Sequence, residues 1–124
     1  MSPVLQRSVL VVDDNAGLRQ GLANVLRDEG IETREAERGD EAIRLVREVR
    51  FDLLVLDLNL PDMTGVRVYT TVSEEVPSRR LIFMTAEASE ELIDEALRLD
   101  PLRLLRKPFE VQLFRDLVRR GIAN

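Results

Sequence analysis

Three stretches of the chain are apolar without interruption, and each stops at a polar residue. Ser8-Val9-Leu10-Val11-Val12 ends in Asp13-Asp14, Leu53-Leu54-Val55-Leu56 ends in Asp57, and Leu81-Ile82-Phe83-Met84 ends in Thr85. Short runs with no polar alternation predict strands buried on both faces. Residues 31–35 form a weaker, more polar strand that suits a sheet edge, and residues 102–105 a short one ending near Lys107. Between the strands the spacing turns helical. Leu18, Leu22, Val25 and Leu26 recur before a Glu29-Gly30 stop, and Ala42, Ile43, Val46 and Val49 share one face of residues 40–49. Pro61-Asp62-Met63-Thr64-Gly65 is turn chemistry ahead of a short helix over residues 66–73. Pro77 breaks the chain. Ser89 caps a helix, Glu90 and Glu91 favour its positive end, and Leu92, Ile93, Ala96, Leu97 and Leu99 supply its buried face. Pro108 opens the last segment, whose stripe is Leu113, Phe114, Leu117 and Val118.

The order is strand then helix, five times over. Apolar strands alternating with amphipathic helices imply a parallel sheet covered on both faces, an α/β three-layer sandwich. In such sheets ligands sit beyond the carboxyl ends of the strands. The residues just past the apolar runs are Asp13 and Asp14, Asp57, Thr85 and Lys107. One edge of the sheet therefore collects three carboxylates, a hydroxyl and an ammonium.

Composition narrows the chemistry. At 124 residues the chain is one domain, long enough to bury a real core. It contains no Cys and no His, which removes disulfides, thiolate or imidazole metal sites and any His base. A metal here must be bound by oxygen, which favours Mg²⁺, Mn²⁺ or Ca²⁺. No apolar run is long enough to span a bilayer, and residues 1–8 lack the pattern of a signal peptide, so a cytoplasmic location is expected, with no membrane partner. The net charge of −5 argues against nucleic acid as a direct ligand. Of 18 basic residues only Lys107 is a lysine. In a chain that otherwise uses arginine, that position calls for a compact ammonium.

Three carboxylates brought together repel one another, and a hard divalent cation resolves the conflict. A carboxylate is also a nucleophile toward phosphorus, forming an acyl phosphate. The metal, the ammonium and the hydroxyl can stabilise the charge on a transferring phosphoryl group by position alone. Singly, each residue has a plainer reading. Asp13 or Asp14 could cap the first helix, Asp57 could begin an Asx-turn, Thr85 could end a strand or cap a helix, and Lys107 could be a surface charge. Their joint placement at strand ends speaks against that reading.

With these residues in place the sequence resembles the receiver domain of bacterial two-component response regulators. The resemblance rests on Val11-Val12-Asp13-Asp14-Asn15, on Asp57-Leu58-Asn59-Leu60-Pro61-Asp62-Met63-Thr64-Gly65, on Met84-Thr85-Ala86 and on Lys107-Pro108-Phe109, in that order. It implies a flavodoxin-like (βα)5 fold with strand order 2-1-3-4-5. It also implies that Asp57 is the phosphoacceptor. Asp13 and Asp14 would hold Mg²⁺ (or Mn²⁺) with Asp57 and the backbone carbonyl of Asn59. Thr85 would hydrogen-bond the phosphoryl oxygen and Lys107 would pair with the phosphoryl group. The Lys107–Pro108 bond is expected to be cis.

The same resemblance marks two departures. The family usually carries an aromatic residue three positions before the lysine, where this chain has Leu104, and a Gly-Ala pair where it has Asp100-Pro101. An altered switch from site to surface is therefore expected through Thr85 and Leu104. Asn59 and Glu87 occupy positions that influence hydrolysis of the phosphoryl group in the family, and two polar residues there imply a short-lived one. The donor would be a histidine kinase or phosphotransfer protein. The downstream reader would be a protein meeting the fourth helix, last strand and last helix. Arg98, Arg103, Arg106 and Arg115 in those segments suit acidic groups on that partner. The chain would act as a monomer or weak dimer, carry no output domain, and catalyse only its own phosphorylation and dephosphorylation. Two other readings compete. One is a receiver-like interaction module that no longer uses phosphate, for which Leu104 speaks. The other is an Asp-nucleophile phosphohydrolase, against which Asn59 stands where a second Asp would serve as general acid.

Overall fold

A computed structural model describes residues 7–123; residues 1–6 of the leader reading lie outside it. Five parallel strands form one sheet in the order β2-β1-β3-β4-β5. In chain order the elements are β1 (Ser8–Val12), α1 (Ala16–Asp28), β2 (Glu32–Ala36), α2 (Gly39–Glu48), β3 (Leu53–Asp57), α3 (Gly65–Val72), β4 (Leu81–Thr85), α4 (Glu90–Arg98), β5 (Arg103–Arg106) and α5 (Val111–Ala123). This is the flavodoxin-like arrangement that the resemblance implies, built on the parallel strands that the apolar runs predict. Every residue of β1, β3 and β4 is buried, as their unbroken apolar runs require, whereas edge strands β2 and β5 expose Glu32, Arg34, Arg103 and Arg106. Charges on edge strands discourage pairing with another chain.

Alternate residues of the central strands feed two cores. Leu10, Val12, Leu54, Leu56 and Phe83 pack with α2, α3 and α4, while Val9, Val11, Val55, Ile82 and Met84 pack with α1 and α5. Three helices are capped by their own sequence: Asn15 accepts from the Leu18 N–H, Thr64 from Arg67 and Ser89 from Leu92. The cap of α1 is thus Asn15, which leaves Asp13 and Asp14 to other tasks. A 3-10 turn over Ser78–Arg80, not anticipated from the Pro77 break, leads into β4.

Two side chains placed on buried stripes lie outside. Leu97 is 53% exposed and Leu113 37%. The inner face of α4 is centred between Ile93 and Ala96, and Leu97, about 100° on from Ala96 and about 40° past Ile93, falls at its rim. On α5 the inner face runs through Phe114, Leu117, Val118 and Gly121, which turns Leu113 to the rim.

Candidate functional site

Parallel strands bring their carboxyl ends to one edge, so residues distant in sequence meet there. Asp13 follows β1, Asp57 closes β3, Thr85 closes β4, and Lys107 follows β5 by one residue. Asp13, Asp57 and Thr85 are buried, whereas Asp14 is exposed. One carboxylate oxygen from each of Asp13, Asp14 and Asp57 lies within 4.8 Å of the other two. Lys107 reaches across the sheet edge, and its Nζ donates to Asp13 Oδ2 at 2.7 Å and to Asp57 Oδ2 at 2.6 Å. The Lys107–Pro108 peptide is cis.

The second oxygens of the buried carboxylates are held by the backbone. Asp13 Oδ1 accepts the Asn15 N–H at 2.9 Å, and Asp57 Oδ1 accepts the Asn59 N–H at 2.8 Å. Gly65 fits this turn for a steric reason, because a Cβ there would collide with the carbonyl of Asp57. The Asn59 side-chain amide donates to the Glu87 carbonyl, tying the loop after β3 to the loop after β4. With Asp13, Asp14, Asn15, Asp57, Ala86 and Lys107, these two residues line an open cleft of about 420 Å³.

Charge is unbalanced here. Burial raises the Asp57 carboxyl above its ordinary range; Lys107 and the Asn59 N–H oppose this, and neighbouring Asp13 adds to it. Burial also works against the Lys107 ammonium, but bonds to Asp13 and Asp57 outweigh it and raise its pKa. The two directions agree: the lysine has two carboxylates to itself, while the carboxylates share one ammonium. The hydroxyl of Thr85 is buried and meets no hydrogen-bonding group among the described residues. A buried hydroxyl left in that state costs roughly 1–3 kcal/mol, which a ligand oxygen would relieve. Oxygen donors in excess negative charge fit a hard divalent cation, with Asp13, Asp14 and Asp57 as the residues that could hold it.

Leu104 is half-buried and packs against the core on the α4 side of the sheet, opposite Phe83 in register. Arg98, Arg103 and Arg106 are exposed and carry no ion pair among the described residues, but Arg115 turns toward Glu29, the residue that caps the end of α1, 3.9 Å away. Sequence reading passed over two residues that brace the site. The carboxylate of Asp62 accepts the N–H groups of Gly39 and Asp40, at 2.8 and 2.9 Å, and so caps α2 from the loop after β3. Arg19 of α1 donates to the carbonyl of Asp13. Neither contact leaves a local signal, since the partners of Asp62 lie 23 and 22 residues away and the Arg19 bond depends on how the helix docks.

These features describe a flavodoxin-like α/β module with an acidic cleft at the carboxyl edge of its sheet, and comparison with known proteins gives the family. Residues 9–119 match the response regulator receiver domain, and the chain belongs to that family. It is 32% identical over 117 residues to sporulation initiation phosphotransferase F of Bacillus subtilis, covering 94% of each chain. It is 33% identical over 115 residues to the chemotaxis protein CheY of Pseudomonas aeruginosa, covering 90% of this chain and 93% of that one. A CheY-like receiver domain from Methanospirillum hungatei superposes with a TM-score of 0.89 at 23% identity, covering 96% and 95%, and shares the fold. Receiver domains are signalling switches of two-component systems, which meet histidine kinases or phosphotransfer proteins. No helix among the described residues is long and apolar enough to cross a membrane.

Proposed function

We propose that this chain is a two-component signalling switch that accepts a phosphoryl group on Asp57 from a histidine kinase or phosphotransfer protein in the cytoplasm. The observation that carries the reading is the meeting of Asp13, Asp14 and Asp57 with Lys107 at one sheet edge. In the transfer, a carboxylate oxygen of Asp57 attacks phosphorus. The bond from phosphorus to the donor nitrogen breaks, and its electron pair stays on that nitrogen. The product is an aspartyl phosphate, which water later hydrolyses. Asp13, Asp14, Asp57 and the backbone carbonyl of Asn59 would hold Mg²⁺, which when bound offsets the phosphoryl charge. Lys107 exchanges a carboxylate partner for a phosphoryl oxygen, and the orphaned Thr85 hydroxyl donates to another.

Output follows if the two states of Asp57 are bound differently by a partner. Exposed Arg98, Arg103 and Arg106, without an ion pair among the described residues, favour a partner with acidic groups on the α4-β5-α5 face, and Leu104, in place of an aromatic ring, would set how Thr85 couples to that face. Asn59 and Glu87 leave the cleft polar at its mouth and favour rapid hydrolysis. Residues 8–120 would form the switching unit. The deciding experiment is intact mass after incubation with Mg²⁺ and a small phosphodonor. One added phosphoryl group is expected, absent without Mg²⁺ and absent in Asp57→Asn. No adduct with the donor and no binding of beryllofluoride would overturn the reading in favour of a phosphate-independent module. In Asn59→Met the adduct should persist longer.

A further inference from the structure

We infer that Arg19 is a positioning residue: through the backbone of Asp13 it sets the acidic turn 13–14 in the geometry that binds a divalent cation, an inference that rests on the phosphoacceptor reading. Arg19 lies in the first turn and a half of α1, and its side chain is only 11% exposed. Its Nη1 donates to the carbonyl oxygen of Asp13 at 2.9 Å, and its Nε donates to Glu35 Oε1 on β2 at 3.0 Å. One planar guanidinium thereby joins a helix, an edge strand and the turn that carries two of the three clustered carboxylates. The task needs two donors at a fixed angle, which arginine has and lysine lacks.

Asp13 is tied at every polar atom. Its N–H donates to the Ala36 carbonyl at 3.0 Å, its two carboxylate oxygens accept from Asn15 and Lys107, and its carbonyl accepts from Arg19. Three of those four ties come from backbone groups or from Lys107, which belongs to the site itself. Arg19 is the contact that comes from outside the site and can be removed without touching a proposed ligand.

A plain structural role is the natural competitor, and the molecule contains its own control. Arg27, two turns further along α1, pairs with the same Glu35 at 3.2 Å and donates to the Thr33 carbonyl at 2.7 Å. It anchors the same strand to the same helix but has no contact with Asp13. Strand anchoring is therefore shared by the two arginines, while of the two only Arg19 also holds the turn. Electrostatics supplies a second discriminator through its sign. A guanidinium near a cation site repels the cation, so a bare charge effect predicts tighter Mg²⁺ binding once Arg19 is neutralised. Positioning predicts weaker binding.

The test is Mg²⁺ titration of the ¹⁵N-labelled full chain, following the Asn15 and Asn59 amide resonances, in the wild type, Arg19→Gln, Arg19→Lys and Arg27→Gln, with thermal unfolding of each. Arg19→Gln should bind Mg²⁺ about 10-fold more weakly, the size of effect seen when a residue orienting a metal ligand is removed. Arg19→Lys, which keeps the charge but can satisfy one acceptor at a time, should fall between. Arg27→Gln should melt lower yet bind Mg²⁺ as the wild type does. Arg19→Gln binding as tightly as the wild type, or more tightly, overturns the inference. So does Arg27→Gln weakening binding equally. If Arg19→Gln does not fold, Arg19→Lys decides, and wild-type affinity in it overturns the inference. A wild-type chain that does not bind Mg²⁺ overturns the phosphoacceptor reading and this inference together.

Discussion

Strand β3 has a buried aspartate at each end, and the two are provided for in opposite ways. Asp52 precedes the strand and is 2% exposed; Asp57 closes it and is 5% exposed. Asp52 accepts the Ser8 N–H at 2.9 Å and lies within 4.0 Å of Arg80, Arg50 and Arg7, at 3.5, 3.3 and 3.9 Å. Asp57 faces two further carboxylates with one lysine between them. The N-terminal edge of the sheet thus surrounds its buried charge with compensation, while the C-terminal edge leaves its own in deficit. A buried charge costs several kcal/mol unless paired and hydrogen-bonded, so the first arrangement holds the fold and the second costs stability that a divalent cation would return.

If that contrast is right, substitutions at the two edges separate into two kinds. The largest effect belongs to Asp57. Asp57→Asn should lose the phosphoryl adduct completely in intact-mass measurements while still unfolding cooperatively on heating, because it removes one of the crowded carboxylates. An Asp57→Asn chain that no longer folds would break the contrast. At the other end, Asp52→Ala strands the buried Ser8 N–H and removes the carboxylate that Arg80, Arg50 and Arg7 share, and should cost about 2–3 kcal/mol in urea unfolding. Its Mg²⁺ affinity, measured on the folded protein, should match the wild type. A change in Mg²⁺ binding would show that the two edges are coupled along β3.

The same contrast explains what could be read from the sequence. The strands were legible because burial on both faces leaves no polar position in Val9–Val12, Leu53–Leu56 or Leu81–Met84. The site was legible because parallel strands send their next residues to one edge, and because Lys107 stands alone among arginines. Boundaries at helix ends drifted: α5 begins at Val111, three residues past the Pro108 that opens the segment, and α3 spans Gly65–Val72 where the sequence suggests 66–73. Leu97 and Leu113 were misplaced because an apolar residue one step from a helical stripe looks like part of it. The role of Asp52 was invisible. Its three arginines are spread from position 7 to position 80, and nothing local distinguishes it from a surface aspartate in an Asp-rich chain. The cap from Asp62 to α2 was hidden for the same reason.

Asp62 sharpens the comparison because it sits at the carboxyl edge of the sheet but is fully compensated. Partial burial opposes its charge, yet the N–H groups of Gly39 and Asp40 and nearby Arg38 outweigh it and hold its pKa below the ordinary value of 3.8. A depressed folded-state pKa gives stability that is present above pH 3.8 and is lost as the pH falls through the folded value. Asp62→Asn should therefore cost about 1 kcal/mol at neutral pH, typical of a lost helix cap, with the difference from wild type shrinking as the pH falls below 3.8 and through the folded value. Urea unfolding of both proteins across that range checks it. A constant difference would mean that the loop is held by shape, with Met63 packed on Gly39, and not by the carboxylate.

The smallest effect tests the N-terminal edge at β5. Asp100 follows α4 with φ 56°, in the left-handed region, and its N–H bonds the Leu97 carbonyl at 3.0 Å. Glycine is the usual residue at such a helix end, because a Cβ there meets the following carbonyl oxygen. Asp100 also puts a negative charge at the negative end of the helix dipole. Asp100→Gly removes both penalties but gives the unfolded chain more freedom, which offsets part of the gain. The net expectation is about 0.5 kcal/mol of added stability, visible as a small rise in melting temperature, with phosphorylation of Asp57 unchanged. Asp100→Ala keeps the strain and should not gain. If Asp100→Gly instead changed the rate at which Asp57 gains or loses its phosphoryl group, the turn before β5 would belong to the switch, acting through Leu104 and Lys107 on the same strand path. The division between a holding edge and a working edge would then fail at β5 while standing at β3.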